Sequence, residues 1–248
     1  LLLSSAASDV YKRQIVYNGA VAAAEHTGCD VDYYWSQWNS EIMIKQFKEA
    51  VALQPDGIAI YGFPGDAAMR PIINEAREMG IVITTMNTPL PDLEAELKTT
   101  GFGYAGADLF AAGFNLGKKG VEVCGLEAGD KAFVWGLASM PNRGERTKGA
   151  IAGVESMGVE VVYQEIPDNV NSDASQGTPM YVATYSANPD IKMAITDHGG
   201  LTASLPTYMK AAGHGTEAVC GAGFDLSAPI VDGINSGYID VVIDQQPF

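Results

Sequence analysis

Polar side chains recur where predicted buried strands end, and such side chains can form hydrogen bonds to a ligand. The positions that carry this pattern are Gln37, Asn87, Arg146, Asp197, His198 and Asp225. Carboxylates accept hydrogen bonds from hydroxyls, whereas a planar guanidinium can donate two parallel ones. Open parallel sheets bind ligands at the carboxyl ends of their strands. Any single position could equally cap a helix or belong to a loop, so the repetition along the chain carries the inference.

The chain contains fragments of catalytic and cofactor-binding motifs, but the neighbouring sequence that each motif requires is absent. Residues 101–106 match GxGxxG, but no buried strand precedes them, so we interpret them as a flexible connection between two lobes. His198-Gly199-Gly200 resembles an esterase oxyanion loop, but the chain has no GxSxG nucleophile motif. The histidines lack metal-binding spacing, and no P-loop sequence occurs. We therefore expect no enzyme activity, no catalytic residues, no cofactor and no metal.

Charge and cysteine usage narrow the classes of partner. The net charge of −15 argues against nucleic acids and anionic membranes, because both would be repelled over most of the surface. Cys29, Cys124 and Cys220 are far apart in sequence, so they predict neither a disulfide framework nor a zinc site. We expect them to be buried free thiols that pack as small apolar groups.

The elements that must position the polar residues follow an α/β pattern. Short apolar runs alternate with helical patterns, roughly one βαβ unit per thirty residues. The predicted strands are residues 31–35, 57–61, 81–85, 132–135, 159–163, 193–196, 218–221 and 239–243. This alternation predicts two doubly wound parallel-sheet lobes joined by a hinge.

The two ends of the chain do not fit this pattern. Residues 1–14 read as a scar or signal remnant outside the fold, so we expect the opening strand to be absent. The N-terminal lobe then spans residues 15–106, without its first strand and C-terminal return segment. The C-terminal lobe spans 107–245, and 246–248 begin the return crossover. On this interpretation the chain is a fragment truncated at both ends.

Short motifs along the chain resemble, in the same order, those of periplasmic sugar-binding proteins of the ribose and galactose type. Ser36-Gln37-Trp38-Asn39 resembles that family's Ser-Gln-Asn-Asn turn, and residues 145–149 resemble its E-R-x-x-G helix start. The remaining matches are residues 56–60, 80–87, 104–108 with 112–113, 196–198, 223–225, and 234–240 with 245–247. Each motif is short, but their shared order makes the resemblance fairly specific.

The resemblance implies the type I periplasmic binding fold and an interlobe cleft that closes on a monosaccharide by hinge motion. It places ligand contacts at Gln37, Trp38, Phe63, Asn87, Asp108, Arg146, Asp197, His198, Asp225 and Gln245. Aromatic rings suit the apolar faces of sugars, which is the role expected of Trp38 and Phe63. Asn87, Thr88 and Asp197 stand where the family often has Asp, Arg and Asn, so the identity of the sugar stays open.

The same resemblance implies a biological setting. We expect a monomer that binds a monosaccharide or related polyol, is recognised by an ABC permease in the membrane, and does not bind nucleic acid. Its location would be the periplasm, or the outer face of a Gram-positive cell with a lipid anchor. Two alternatives stay open: the sugar-binding effector domain of a LacI-type repressor, and a ligand sensor for a membrane receptor. The C-terminal motif, residues 237–247, favours the transport proteins over the repressors.

Overall fold

The computed structural model describes residues 2–4 and 10–245, with side chains from Val16 onward. The chain divides into two compact units. Unit 1 comprises the described residues up to Ala107 together with Met140–Arg143, and unit 2 comprises Asp108–Ser139 and the chain from Gly144 on. No helix among the described residues is long and apolar enough to cross a membrane.

Unit 1 is a parallel five-stranded sheet with the order β2-β1-β3-β4-β5. Its strands are β1 Leu2–Ser4, β2 Tyr33–Trp35, β3 Gly57–Tyr61, β4 Val82–Met86 and β5 Gly103–Ala105. Its helices are α1 Val10–Thr27, α2 Ser40–Ala52, α3 Asp66–Glu78 and α4 Pro91–Leu97. Helix α3 buries Met69, Ile72, Ile73 and Ala76, whose helical spacing places them on one face toward the core.

The position of β1 corrects the prediction for residues 1–14. Leu2–Ser4 pairs in parallel with β2 on one side and β3 on the other, at an inner place in the sheet. Helix α1 also begins at Val10, inside the segment that is predicted to lie outside the fold. The prediction that the opening strand is absent is therefore wrong. Leu1-Leu2-Leu3 is too short an apolar run to be recognised as a strand from sequence alone.

Unit 2 is a second parallel five-stranded sheet, with the order β10-β9-β8-β6-β7. Its strands are β6 Lys131–Gly136, β7 Glu160–Glu165, β8 Ile191–Thr196, β9 Cys220–Phe224 and β10 Val241–Ile243. Its helices are α5 Leu109–Cys124, α6 Glu145–Glu155, α7 Asp168–Ser172, α8 Thr178–Ala187, α9 Gly199–Ala211 and α10 Ala228–Asn235. All the predicted strands occur, with ends shifted by a few residues, and the predicted α/β class is confirmed.

The two faces of β6 bury different cores. Ala132 and Val134 pack in the aliphatic cluster that includes residues of α5 and α6. The alternating Phe133 and Trp135 instead contact an aromatic cluster made by Tyr181, Tyr185 and Tyr208 of α8 and α9. Desolvation in this cluster raises the pKa of Tyr208 to about 12. Side chains that alternate between two apolar layers are expected for a central strand of a parallel sheet.

Helices α5 and α6 approach each other closely, which fixes the start of α6. A Cβ atom added at Gly113 would collide with the backbone carbonyl of Arg146, and one at Gly149 with that of Phe110. Glycine at both positions therefore allows backbone-to-backbone packing that no larger residue would permit without movement. The first turn of α6, which carries Arg146, is held against a rigid neighbour.

Two sequence predictions are wrong in this fold. The GxGxxG segment is not a flexible connection, because Gly103–Ala105 forms β5 and pairs with β4. The cysteines are not buried free thiols: Cys124 and Cys220 form a disulfide with a Cα–Cα distance of 5.8 Å, and Cys29 is free and exposed. The two bonded residues are 96 positions apart, and only the packing of α5 near β9 brings them together.

Candidate functional site

The predicted polar residues of unit 2 gather at the carboxyl ends of β8 and β9. Asp197 directly follows β8, and Asp225 directly follows β9. The two strands are neighbours in the sheet, so the residues that follow them emerge at the same edge. The Asp197 side chain is 2% exposed and Asp225 is 7% exposed. Two buried acids side by side require specific partners, since an isolated buried carboxylate is costly.

Asp197 obtains its partners from the first turn of α6. Arg146 donates from Nε to Asp197 Oδ1 at 3.0 Å, and from Nη2 to the backbone carbonyl of the same residue. Thr147 donates from Oγ1 to Asp197 Oδ2 at 2.9 Å. The guanidinium fork predicted to reach the ligand is thus directed at Asp197 in this structure. Its third nitrogen, Nη1, makes no hydrogen bond to the described residues.

An aromatic ring completes the surroundings of Arg146. The guanidinium carbon lies 4.2 Å from the centroid of the Phe224 ring, and Phe224 is fully buried at the end of β9. A desolvated cation–π contact of this kind stabilises the charge by roughly 2 kcal/mol. Sequence reasoning missed Phe224 and Thr147. The signal was available, because each is the immediate neighbour of a nominated polar residue.

Asp225 is held by neutral donors. Gly199 N, at the start of α9, donates to its Oδ2 at 3.0 Å, and Gln245 Nε2 donates to its Oδ1 at 2.5 Å. An anion at a helix N-terminus is favoured by the helix dipole and by the free N–H groups there. Asp225 has a positive φ of 72°, a strained conformation that re-aims the side chain after the strand. The structure therefore brings together two predicted residues, Asp225 and Gln245.

His198 and Asp108 act as helix caps. His198 Nδ1 accepts a long hydrogen bond of 3.5 Å from Leu201 N at the start of α9. Asp108 is exposed, and its Oδ1 accepts from Ala111 N at 2.9 Å, which caps α5. In this structure both side chains therefore cap helices, which is the alternative role that the sequence analysis left open. Ligand contact by either residue stays a prediction.

In unit 1 the predicted aromatic residues lie together. Gln37 and Trp38 follow β2 with positive φ values of 54° and 58°, and Gln37 is exposed. The Trp38 ring is half-buried, 5.4 Å from that of Phe63 and 5.8 Å from that of Tyr61. Phe63 is buried in the core of the unit. Trp38 therefore keeps an accessible aromatic surface, whereas Phe63 supports it from the core.

Asn87 sits in a strained turn after β4. Its φ is 61°, its N–H donates to Ala105 O at 3.1 Å, and its carbonyl accepts from the Tyr104 hydroxyl at 3.1 Å. These backbone contacts tie the turn to the end of β5, and the side chain is half-buried. Strained turns that are held this firmly often occur at binding sites.

The described residues include no group of three or more His, Cys, Asp or Glu side chains placed to hold a metal ion. The arrangement instead offers hydrogen-bond acceptors and donors at strand ends, next to buried aromatic rings. Such a set can bind and orient a polar ligand.

Comparison with known proteins identifies the family. A model of the periplasmic binding protein domain matches residues 2–248. The chain belongs to this family. Members of the family bind solutes outside the cytoplasm.

Named relatives agree with this assignment. The chain is 21% identical over 234 residues to a xylose/arabinose-binding protein XylF of Sulfolobus acidocaldarius, a match that covers 88% of the chain and 56% of that protein. The chain thus spans little more than half the length of this curated relative.

Solved structures share the fold. A glucose-galactose binding protein, GanP, from Geobacillus stearothermophilus has a TM-score of 0.84 at 22% identity, over 99% of this chain and 84% of that one. A carbohydrate transporter solute-binding protein from Agrobacterium radiobacter, in complex with D-arabinose, has a TM-score of 0.81 at 20% identity, over 100% and 83%. At these identities the similarity establishes the type I periplasmic binding fold, as predicted.

Proposed function

We propose that this protein captures a monosaccharide or related polyol and delivers it to an ABC transporter. The observation that carries the proposal is the polar set at the ends of β8 and β9, in which the buried Arg146 pairs with the buried Asp197 and the half-buried Gln245 donates to the buried Asp225. Membership of the periplasmic binding protein family supports it. The relatives include proteins named for xylose, arabinose, glucose and galactose.

The chemistry of this set suits sugar hydroxyls. A carboxylate only accepts hydrogen bonds and a sugar hydroxyl can donate one, so Asp197 and Asp225 are of the chemical type that binds such hydroxyls. Arg146 Nη1 can donate to a hydroxyl or ring oxygen. Trp38 offers an aromatic surface for the apolar face of a sugar ring. We propose that Asn87, Arg146, Asp197, Asp225 and Gln245 supply polar contacts, and that binding makes and breaks no covalent bond.

The disulfide supports a location outside the cytoplasm. Structural disulfides persist in oxidising compartments such as the periplasm and the cell exterior, and cytosolic reductants remove them. The Cys124–Cys220 bond within unit 2 fits such a compartment. We propose that the protein works there as a monomer, with an ABC permease as its partner. The transport role is favoured over a repressor role by the match to the periplasmic family.

Isothermal titration calorimetry tests the binding function directly. We expect the chain to bind at least one of D-xylose, D-arabinose, D-glucose and D-galactose. Asp225→Asn should weaken that binding at least tenfold, because a neutral amide accepts hydroxyl hydrogen bonds less strongly than a carboxylate. Asp240→Asn is the matched control, since Asp240 also accepts from a backbone N–H, that of Gly221 at 2.8 Å, but lies at the opposite end of β9. Absence of heat and of thermal stabilisation with all four sugars would refute the proposal.

A further inference from the structure

Thr147 connects Asp197 of the candidate site to the end of β6 through hydrogen bonds. It is 1% exposed in the first turn of α6, one residue after Arg146. Its Oγ1 accepts a hydrogen bond from Leu137 N at 2.9 Å and donates one to Asp197 Oδ2 at 2.9 Å. A hydroxyl has a single donor, and Thr147 directs that donor at the Asp197 carboxylate.

The end of β6 leaves room for this side chain. A Cβ added at Gly136 would collide with Cγ2 and Oγ1 of Thr147. Gly136 ends β6 and Leu137 follows it, so the strand supplies both the space for the threonine and the N–H that orients its hydroxyl. The rotamer of Thr147 is therefore fixed by packing and by hydrogen bonding together.

The consequence is a carboxylate held at both oxygens by consecutive residues. Arg146 Nε contacts Oδ1 and Thr147 Oγ1 contacts Oδ2, so rotation of the planar Asp197 carboxylate would break at least one of the two bonds. Because Asp197 in turn fixes Nε of Arg146, the plane of the guanidinium is set as well. The Asp197 carboxylate and the Nη1 group of Arg146 then point in defined directions before any ligand arrives.

The segment that follows Leu137 is anchored independently. Ala138 N donates to the Tyr163 hydroxyl at 3.0 Å, and Ser139 Oγ donates to Glu165 Oε1 at 2.6 Å. Loss of the Thr147 hydroxyl would therefore leave this segment attached to β7. The effect of such a change should concentrate on Asp197 and Arg146.

We propose that Thr147 is a positioning residue that sets ligand affinity by orienting Asp197 and, through it, Arg146. The role in affinity rests on the proposed sugar-binding function, whereas the orienting role can be measured without a sugar. Preorganised polar groups bind more tightly because less freedom is lost when the ligand arrives.

The test compares Thr147→Val, which keeps the shape and removes the hydroxyl, with Thr147→Ser, which keeps the hydroxyl. Thr184→Val is the matched control: the Thr184 hydroxyl on α8 contacts Gln164 Oε1 of β7 at 2.8 Å and Met180 O at 2.9 Å, and neither partner belongs to the candidate site. The first readout is the solvent exchange rate of the Arg146 Nε–H by NMR. The second is the Kd of whichever of D-xylose, D-arabinose, D-glucose and D-galactose the unaltered chain binds, measured below the unfolding transition of every variant.

We expect Thr147→Val to speed the Arg146 Nε–H exchange at least tenfold and to raise the Kd at least tenfold. For Thr147→Ser and Thr184→Val, the exchange rate and the Kd should each stay within threefold of the values for the unaltered chain. An unchanged exchange rate in Thr147→Val would overturn the positioning role, whether or not a sugar binds. Faster exchange with an unchanged Kd would overturn the link to affinity. If the unaltered chain binds none of the sugars, the proposed function fails, and the exchange rates still decide the orienting role.

Discussion

Arg146 Nε lies 3.0 Å from Asp197 Oδ1, and each side chain is only 2% exposed. The pair joins α6 to the end of β8 and is the buried ion pair at the centre of the candidate site. Because both partners are desolvated, each depends on the other for compensation of its charge. The pair therefore links the stability of unit 2 to the geometry of the site.

Arg146→Lys should weaken sugar binding at least tenfold although the positive charge is kept. A compact ammonium cannot contact both Asp197 Oδ1 and the Asp197 carbonyl while leaving a further donor for the ligand. Calorimetry measures the change. Lys148→Arg is the control, because Lys148 lies on the same helix and forms an exposed pair with Glu145. Binding by Arg146→Lys within twofold of the unaltered chain would show that Arg146 is not a ligand residue.

Asp197→Asn should lower the free energy of unfolding by about 3–5 kcal/mol, because it leaves the buried Arg146 charge uncompensated. Urea unfolding followed by circular dichroism measures this change. Asp190→Asn removes a surface pair with Lys131 and should cost less than about 1 kcal/mol. If the two substitutions lower the free energy of unfolding equally, the buried Arg146–Asp197 pair does not stabilise the protein more than a surface pair does.

Reduction of the Cys124–Cys220 disulfide should destabilise the protein by about 2–4 kcal/mol, since the bond closes a long loop and restricts the unfolded chain. The double variant Cys124→Ser/Cys220→Ser should unfold at a lower temperature than the unaltered chain. Its midpoint of thermal unfolding should no longer change when dithiothreitol is added. Cys29→Ser should leave both unchanged, because Cys29 is exposed and unbonded. A midpoint of the unaltered chain that does not respond to dithiothreitol would indicate that the bond does not form.

Stability should fall on acidification through a contribution from His214. Burial beside Tyr185, at a ring distance of 4.7 Å, lowers the pKa of His214 below its usual value of 6.5. The unfolded chain then binds a proton at a higher pH than the folded chain, so stability is full above about pH 6.5 and declines as pH falls from there toward the folded pKa. Urea unfolding at pH 7.5 and at pH 5.5 measures the free energy of unfolding. Between these two pH values, His214→Phe should lose less of this free energy than the unaltered chain. A loss of equal size would assign the acid sensitivity to other groups.

The sequence predicted the parts of this molecule that depend on local pattern. Strands such as β3 and β8 were recognisable because they are short apolar runs that end in polar turns, and Asp197 and Asp225 were recognisable because they follow such runs. The Arg146–Asp197 pair joins residues 51 positions apart, and no local pattern shows that the two would bind each other. The disulfide and the role of Thr147 were missed for the same reason, since both depend on how elements pack.

The charge of the candidate site should select neutral sugars over their acids. The sequence nominated three carboxylates, Asp108, Asp197 and Asp225, against the single guanidinium of Arg146. In the structure Asp108 is an exposed helix cap and the charge of Arg146 is paired with Asp197, whereas the buried Asp225 carboxylate accepts from Gly199 N and Gln245 Nε2. A carboxylate or phosphate on the ligand would approach this anion where few waters screen it, and would be disfavoured.

We therefore expect D-glucuronate, D-galacturonate and glucose 6-phosphate to bind at least tenfold more weakly than D-glucose or D-galactose. Calorimetry at pH 7 and moderate salt measures the ratio. Asp225→Asn should narrow this ratio, because the substitution removes the negative charge of the buried carboxylate while keeping the size of the side chain. Asp240→Asn should leave the ratio unchanged, since Asp240 is exposed and contacts the other end of β9. Equal or tighter binding of the charged sugars would mean that the ligand does not meet Asp225, and that the polar set at the ends of β8 and β9 is not where the sugar binds.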